Sequence, residues 1–277
     1  MMNSSVKPFL KWVGGKYTLA NELKKHLPNN FDELNYIEPM LGGAGMFFNL
    51  QPKKAILSDI NKKLIITYQS IQNNVEGVIS ELKKHELNHK TNEDYFYDVR
   101  EYFNKGCETR EGLAAAFIYL NKTNFNGLYR VNNKGEFNVP KGRTTSGSVT
   151  ICDEKVLKNC SDLLKGVELY WKSYEDALKD LNKHCFVYLD PPYLPQTDVS
   201  FTKYSKDGFS VEDHQILSTH CKDLSERGIK FMMSNAENDY THDIYGDFSI
   251  KPLTVYHSLG PDKKTRKKAK ECIITNY

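Results

Sequence analysis

The chain has 277 residues, 39% hydrophobic and 26% charged, enough for one large core or two smaller ones sharing a boundary. A formal net charge of +3 does not by itself point to a nucleic-acid partner, so a DNA-facing surface has to come from local clustering. The six cysteines contain no close C-x-x-C pair, and no run reads as a secretory signal or a membrane span. A cytoplasmic protein with reduced thiols, no membrane contact and no zinc knuckle is the expectation.

In chain order, Trp12-Val13-Gly14-Gly15-Lys16 precedes a helical pattern from Tyr17 to His26, stopped near Pro28. Tyr36 and Ile37 form a short strand leading into Glu38-Pro39 and the glycines Gly42, Gly43 and Gly45, after which Met46, Phe47 and Phe48 mark a buried helix face. A second strand, Ala55 to Ser58, ends at Asp59. This strand, glycine loop, helix, strand, acid order opens a nucleotide-binding α/β fold. From Asn61 to Gly112 the pattern is helical, with apolar faces through Leu64, Ile65 and Tyr68 and through Val78, Ile79 and Leu82, and Glu111 to Leu120 continues it. Leu128 to Val131 and Glu136 to Val139 flank Asn132-Asn133-Lys134-Gly135, a hairpin pattern. Strand and helix signals resume after Thr150, through Phe186 to Leu189, Val211 to Glu226, Lys230 to Met233 and Cys272 to Thr275. A helical insert with a hairpin thus interrupts an α/β domain.

The most informative residues are Asp190-Pro191-Pro192-Tyr193. Apolar Phe186 to Leu189 make a buried strand, and the prolines forbid its continuation, so Asp190 falls at a carboxyl strand end, where ligands bind in open α/β folds. An exocyclic adenine amine is a poor nucleophile because its lone pair is delocalised into the ring. Two acceptors, the Asp190 carboxylate and the Pro191 carbonyl, can bind both N–H groups and free that lone pair. Tyr193 offers a stacking face, worth roughly 1–3 kcal/mol per base. The chemistry needs alignment and exclusion of water, not a metal. Taken singly, the tetrapeptide also reads as a strand-ending turn, the glycine loop as a packing turn, and Asp59 as a surface carboxylate. Together they fit one cofactor site, with Asp59 placed to accept from ribose hydroxyls.

At these residues the chain resembles the Dam-type DNA adenine-N6 methyltransferase family, the D12 class of the alpha group of amino-methyltransferases, over nearly its whole length. Lys11 to Lys16 is similar to the family's N-terminal cofactor motif, Glu38 to Gly45 to its glycine loop, and Asp190 to Tyr193 to its catalytic tetrapeptide. Met40 departs from it, since the family usually has Phe after Glu-Pro. The resemblance implies a Rossmann-like α/β methyltransferase sheet in a catalytic domain, 1–60 and 148–277, with an inserted helical target-recognition domain, 61–147, carrying a β-hairpin. It implies S-adenosylmethionine held by Trp12, Lys16, Glu38, Pro39, Gly42, Gly43, Gly45, Asp59 and Asp190, and catalysis by Asp190, Pro191, Pro192 and Tyr193. The segment Asn121 to Gly142 resembles the family's target-recognition hairpin. By that match Phe125, Asn126 and Leu128 approach the opened base step, Arg130 and Asn132 contact the site, and Pro140 meets a thymine methyl. An arginine on a ribbon can grip guanine bidentately, worth about 1–3 kcal/mol of discrimination. The family's usual target is GATC in double-stranded DNA.

A cognate restriction endonuclease acting on the same site is the partner this implies; no obligate protein partner is evident. Competing readings are another short DNA site, N4-cytosine or protein-glutamine methylation, a binding module without catalysis, and a nicotinamide-dependent oxidoreductase. Methylators of cytosine or glutamine more often carry Ser or Asn at the Asp190 position. The oxidoreductase explains neither the tetrapeptide nor the hairpin, and the intact motifs argue against a dead module. His85 and His89, one helical turn apart, read as a solvated helix face, and no metal site is expected. The basic run Lys263, Lys264, Arg266, Lys267, Lys268 and Lys270 reads as a charged loop or a phosphate contact.

Overall fold

The computed structural model describes residues 6–143, 149–193, 209–256 and 268–277. Helix α1 (Ala20–Leu23) and two single 3-10 turns (Lys24–His26, Phe31–Glu33) lead into strand β1 (Asn35–Glu38). The helix expected from Tyr17 is therefore shorter. Its stop is as expected: Leu27, with ψ of 149°, has already left the helical region because the ring of Pro28 excludes it. Helix α2 (Gly45–Leu50) and strand β2 (Ala55–Asp59) complete the opening unit. Four helices follow, α3 (Lys62–Asn73), α4 (Val75–Thr91), α5 (Tyr95–Lys105) and α6 (Arg110–Thr123), then α7 (Glu154–Leu164), strand β3 (Glu168–Trp171) and α8 (Tyr174–Leu178). The chain continues through β4 (Cys185–Leu189), α9 (Val211–Glu226), β5 (Lys230–Ala236), α10 (Asp239–Tyr245), β6 (Ser249–Tyr256) and β7 (Lys268–Thr275).

The asparagine-rich stretch writes its own helix starts. Asn61 and Asn74 cap α3 and α4 by accepting from Leu64 N and Gly77 N, and Thr109 caps α6 through Gly112 N. Ser210 and Asp213 form a reciprocal capping box at the start of α9.

The strands form a seven-stranded sheet in the order β3-β2-β1-β4-β5-β7-β6. Strand β1 runs parallel to β2 and β4, and β4 parallel to β5, whereas β7 lies antiparallel to both β5 and β6. This is the expected Rossmann-like α/β sheet, closed by an antiparallel pair. By compactness the chain divides into two units: residues 1–21, 41–51 and 59–171, and residues 22–40, 52–58 and 172–277.

The first unit is built on α6. Ala114, Ala115 and Ala116 are fully buried, and their small side chains admit the apolar faces of α3 and α4, with Leu64, Ile65 and Tyr68 and with Val78, Ile79 and Leu82, as expected. The second unit centres on β4, whose five residues are all buried, packed with Ile37, Leu217, Leu224, Phe231 and Ile274. Met40 packs partly buried against this cluster, so the apolar contact survives the departure noted above.

The segment expected as a two-stranded hairpin is an antiparallel ribbon without a continuous ladder, held by isolated bridges Val131 to Phe137 and Asn124 to Lys141. The cause is local. Phe137 spends both backbone groups on the side chain of Asn104, donating to its Oδ1 at 2.8 Å and accepting from its Nδ2 at 3.0 Å. The turn forms where expected, with Gly135 N donating to Asn132 O at 2.8 Å. All six cysteines are free thiols, and no helix of the described residues is long and apolar enough to cross a membrane. In the basic run, Lys263, Lys264, Arg266 and Lys267 lie outside the described residues.

Candidate active site

In the second unit, strands β1 and β4 lie side by side and parallel, with Ile37 opposite Val187, so both deliver their carboxyl ends to one sheet edge. Glu38 closes β1, buried at 3% exposure, and accepts from the phenol of Tyr36 at 2.8 Å. Pro39 follows, buried. Asp190 follows β4 and is half-buried, with Pro191 buried beneath and Pro192 exposed. Beside it, the phenol of Tyr188 is paired with Ser234 Oγ at 2.7 Å. Burial first, then the charges of Asp190, Glu38 and Glu271, push that phenol far above its usual range, so it stays a neutral donor or acceptor.

Tyr193 is held firmly. Its phenol donates to Glu271 Oε2 at 2.7 Å, and burial, then the Asp190 and Glu271 charges, raise it well beyond ordinary tyrosine. The preceding carbonyl, Pro192 O, lies 3.0 Å from Nε2 of the buried His214. Neither Glu271 nor His214 was singled out from the sequence. Their partners are 78 and 22 residues away, and no local pattern connects them.

In the first unit the glycine loop is shaped by what packs on it. A Cβ on Gly42 would sit 2.6 Å from Trp12 Nε1, and one on Gly43 2.6 Å from Trp12 Cβ; Gly42 also has φ of +47°. Only glycine lets the Trp12 side chain lie this close. Gly45 then starts α2. Asp59, half-buried, anchors the same loop: Oδ2 accepts from Gly42 N at 2.9 Å and Oδ1 from Asn61 N at 2.8 Å. Burial raises its carboxyl above the usual range, and these two N–H groups oppose the rise. Tyr68 donates to Gly42 O at 3.0 Å. Lys16 is 5% exposed, its ammonium bonded to Gly14 O. Trp12, the glycines, Lys16 and Asp59 are thus brought together within this unit.

The ribbon belongs to the same unit. Phe125 is 49% exposed, and Asn126 takes φ of +57°, turning the chain so that Phe125 stands out. Leu128 is half-buried, its carbonyl held by Asn124 Nδ2 at 2.7 Å. Arg130 is exposed, with its Nε donating to Asn138 Oδ1 at 2.8 Å, and Pro140 is exposed on the return arm. Asn132 is occupied in building the turn, accepting from Lys134 N and Glu136 N and donating to Glu136 Oε2. An aromatic stack joins ribbon and loop: Trp12 on Tyr129 at 6.2 Å and Tyr129 on Phe117 at 5.3 Å.

Among the described residues no group of three His, Cys, Asp or Glu side chains could hold a metal ion. His85 and His89 are not a solvated face. Their Nδ1 atoms meet the phenols of Tyr95 at 2.8 Å and Tyr119 at 2.9 Å, and burial lowers the His85 imidazole to about 4.

A model of the D12 class N6 adenine-specific DNA methyltransferase family matches residues 12–258. The chain belongs to that family. It is 39% identical over 290 residues to the type II methyltransferase M.MjaIII of Methanocaldococcus jannaschii, covering 98% of this chain and 99% of that protein. It is 33% identical to the type II methyltransferase M1.LlaDCHI of Lactococcus lactis subsp. cremoris, covering 99% and 96%. To the DNA adenine methylase of Escherichia coli K12 it is 31% identical, covering 96% and 94%. The protein is therefore an adenine-specific DNA methyltransferase of the D12 class, an enzyme that uses an S-adenosylmethionine-type methyl donor.

Proposed function

We propose that this D12-class enzyme transfers a methyl group from S-adenosylmethionine to N6 of an adenine taken out of the stack of double-stranded DNA, at GATC. The observation that carries the reading is Asp190 at the carboxyl tip of the fully buried β4, followed by Pro191, Pro192 and a tethered Tyr193. The Asp190 carboxylate and the Pro191 carbonyl accept from the two amine N–H groups and turn the nitrogen lone pair outward. Tyr193 stacks on the extruded ring, and Pro192 keeps the backbone from drifting. Aligning nucleophile and electrophile is the main contribution the protein has to make, since well-oriented pairs recover several kcal/mol of the barrier.

The residues present fit the donor. Asp59 keeps lone pairs beyond those used by Gly42 N and Asn61 N, which suits hydroxyl donors of a ribose. Trp12, Lys16, Glu38, Pro39, Gly42, Gly43, Gly45 and Asp59 would hold it, and when bound it supplies an electrophilic methyl carbon on a sulfonium. Arg130, its fork oriented by Asn138, offers terminal nitrogens to a guanine edge. Phe125, Asn126, Leu128, Asn132 and Pro140 line the contact with the opened step, and the exposed Phe125 ring offsets part of the few kcal/mol that extrusion costs. Two relatives carry type II methyltransferase names, which supports a restriction endonuclease of the same specificity as partner.

The test is incubation with S-adenosylmethionine and unmethylated duplex DNA, followed by nucleoside mass spectrometry and modification-sensitive sequencing. N6-methyladenine confined to GATC is the expected product. N4-methylcytosine, or no product at saturating donor, overturns the chemistry. N6-methyladenine elsewhere overturns the site alone.

A further inference from the structure

Two long-range hydrogen bonds reach the catalytic tetrapeptide from opposite ends of its last residue. Glu271 Oε2 accepts a hydrogen bond from the Tyr193 phenol at 2.7 Å, and His214 Nε2 lies 3.0 Å from Pro192 O, the carbonyl of the peptide bond into Tyr193. Both partners stand on rigid elements. Glu271 lies on β7, registered against Ala236 of β5 on one side and Leu253 of β6 on the other. It is 5% exposed and is followed by buried Cys272, Ile273 and Ile274. A buried carboxylate needs polar partners, and the Tyr193 phenol is one of them.

His214, on α9, is fully buried, and burial holds its imidazole down to about 4, so it is neutral in ordinary buffers. A neutral imidazole has one N–H, and a carbonyl only accepts, so that hydrogen sits on Nε2. Nδ1 is then an acceptor, and the phenol of Tyr245 on α10 lies 2.9 Å from it and 3.2 Å from the His214 carbonyl, so its one proton serves both acceptors of that residue. The chain from α10 through α9 to Pro192 therefore admits one tautomer and one ring orientation.

We infer that Glu271 and His214 are positioning residues that fix Tyr193 at both ends, by its phenol and by the peptide before it. The Tyr193 ring is then set in one orientation before DNA arrives, so no freedom of that ring has to be lost at the moment of stacking. The inference rests on the reading in which Tyr193 stacks on the target adenine.

Full-length enzyme, unmethylated duplex DNA and isotope-labelled S-adenosylmethionine test it. In Glu271→Leu, kcat falls between about tenfold and a hundredfold while KM for the donor stays within about twofold, the signature of lost alignment. Glu271→Gln, which keeps an acceptor, recovers kcat to within about threefold of wild type. Tyr193→Phe removes the same bond from the other side, so the Tyr193→Phe/Glu271→Leu double variant is no slower than the slower single variant. Multiplying losses in the double variant, or a Gln variant as slow as Leu, overturns the Glu271 half.

For His214, a long-range proton–nitrogen NMR correlation on histidine-labelled enzyme shows the Nε2–H tautomer, assigned by its disappearance in His214→Asn. An Nδ1–H tautomer overturns the His214 half. Wild-type enzyme that leaves adenine unmethylated would instead defeat the reaction assignment. The tautomer would still uphold or overturn the contact with Pro192.

Discussion

The tetrapeptide at 190–193 and the ribbon at 124–142 are held in contrasting ways. The tetrapeptide continues a strand buried on both faces and is tied by a carboxylate on its phenol, an imidazole on its backbone and its own two proline rings. The ribbon is largely exposed and is tied by carboxamides: Asn104 on both backbone groups of Phe137, Asn124 on Leu128, and Asn121 on Gly127. A reacting geometry has to be the same in every turnover and is built into the sheet. A base-reading surface has to meet a deformable duplex, and amide struts from helices give it a fixed base with exposed tips.

Breaking that contrast at its strongest point, Asp190→Ala lowers kcat by at least about a hundredfold to a thousandfold, the usual cost of one preorganised polar contact to the reacting group. Duplex binding by gel shift stays near wild type, and near-normal turnover would remove Asp190 from the mechanism. On the ribbon, Arg130→Ala instead lowers discrimination against single-base variants of the site by about 1–3 kcal/mol, leaving nonspecific binding little changed. An unchanged preference in competition assays would free Arg130 of a reading role. Asn104→Ala strips partners from the backbone of the buried Phe137, a cost of about 1–3 kcal/mol. Weaker DNA affinity with kcat preserved at saturating DNA is the expected result, and a fall in kcat alone would contradict it.

Acid acts on the stability of the fold, not on reading or reaction. Burial holds the His214 and His85 imidazoles down to about 4, against 6.5 for an exposed imidazole. The unfolded chain therefore binds protons that the fold refuses, and stability is full above pH 6.5 and declines as pH falls toward 4. The urea midpoint is expected to drop between pH 7 and pH 5, by less in His214→Gln. The ribbon at 124–142 contains no histidine of its own.

The sequence made the local parts legible. The order of β1, glycine loop, α2, β2 and Asp59 is written in adjacent residues, and α9 spans Val211–Glu226 as its pattern predicts. Strand β6 escaped notice because Pro252 inside it cannot donate to a ladder and argues against a strand, a conflict the edge position resolves. Strand β3 escaped because three of its four residues are exposed, leaving no alternation to read. The glycines were expected to make room for a ligand, yet Gly42 and Gly43 also make room for Trp12, thirty residues back in the chain and invisible to any local window. Glu271 and His214 were missed for the same reason: their meaning lies entirely in partners brought near by folding.

The face-to-face packing of Trp12 on Tyr129, with ring planes 19° apart, has an optical consequence. The enzyme has two tryptophans, so Trp171→Phe leaves a single indole emitter touching the glycine loop on one side and the base of the ribbon on the other. Its emission colour and lifetime would then report donor loading and duplex engagement in one cuvette, without any attached dye.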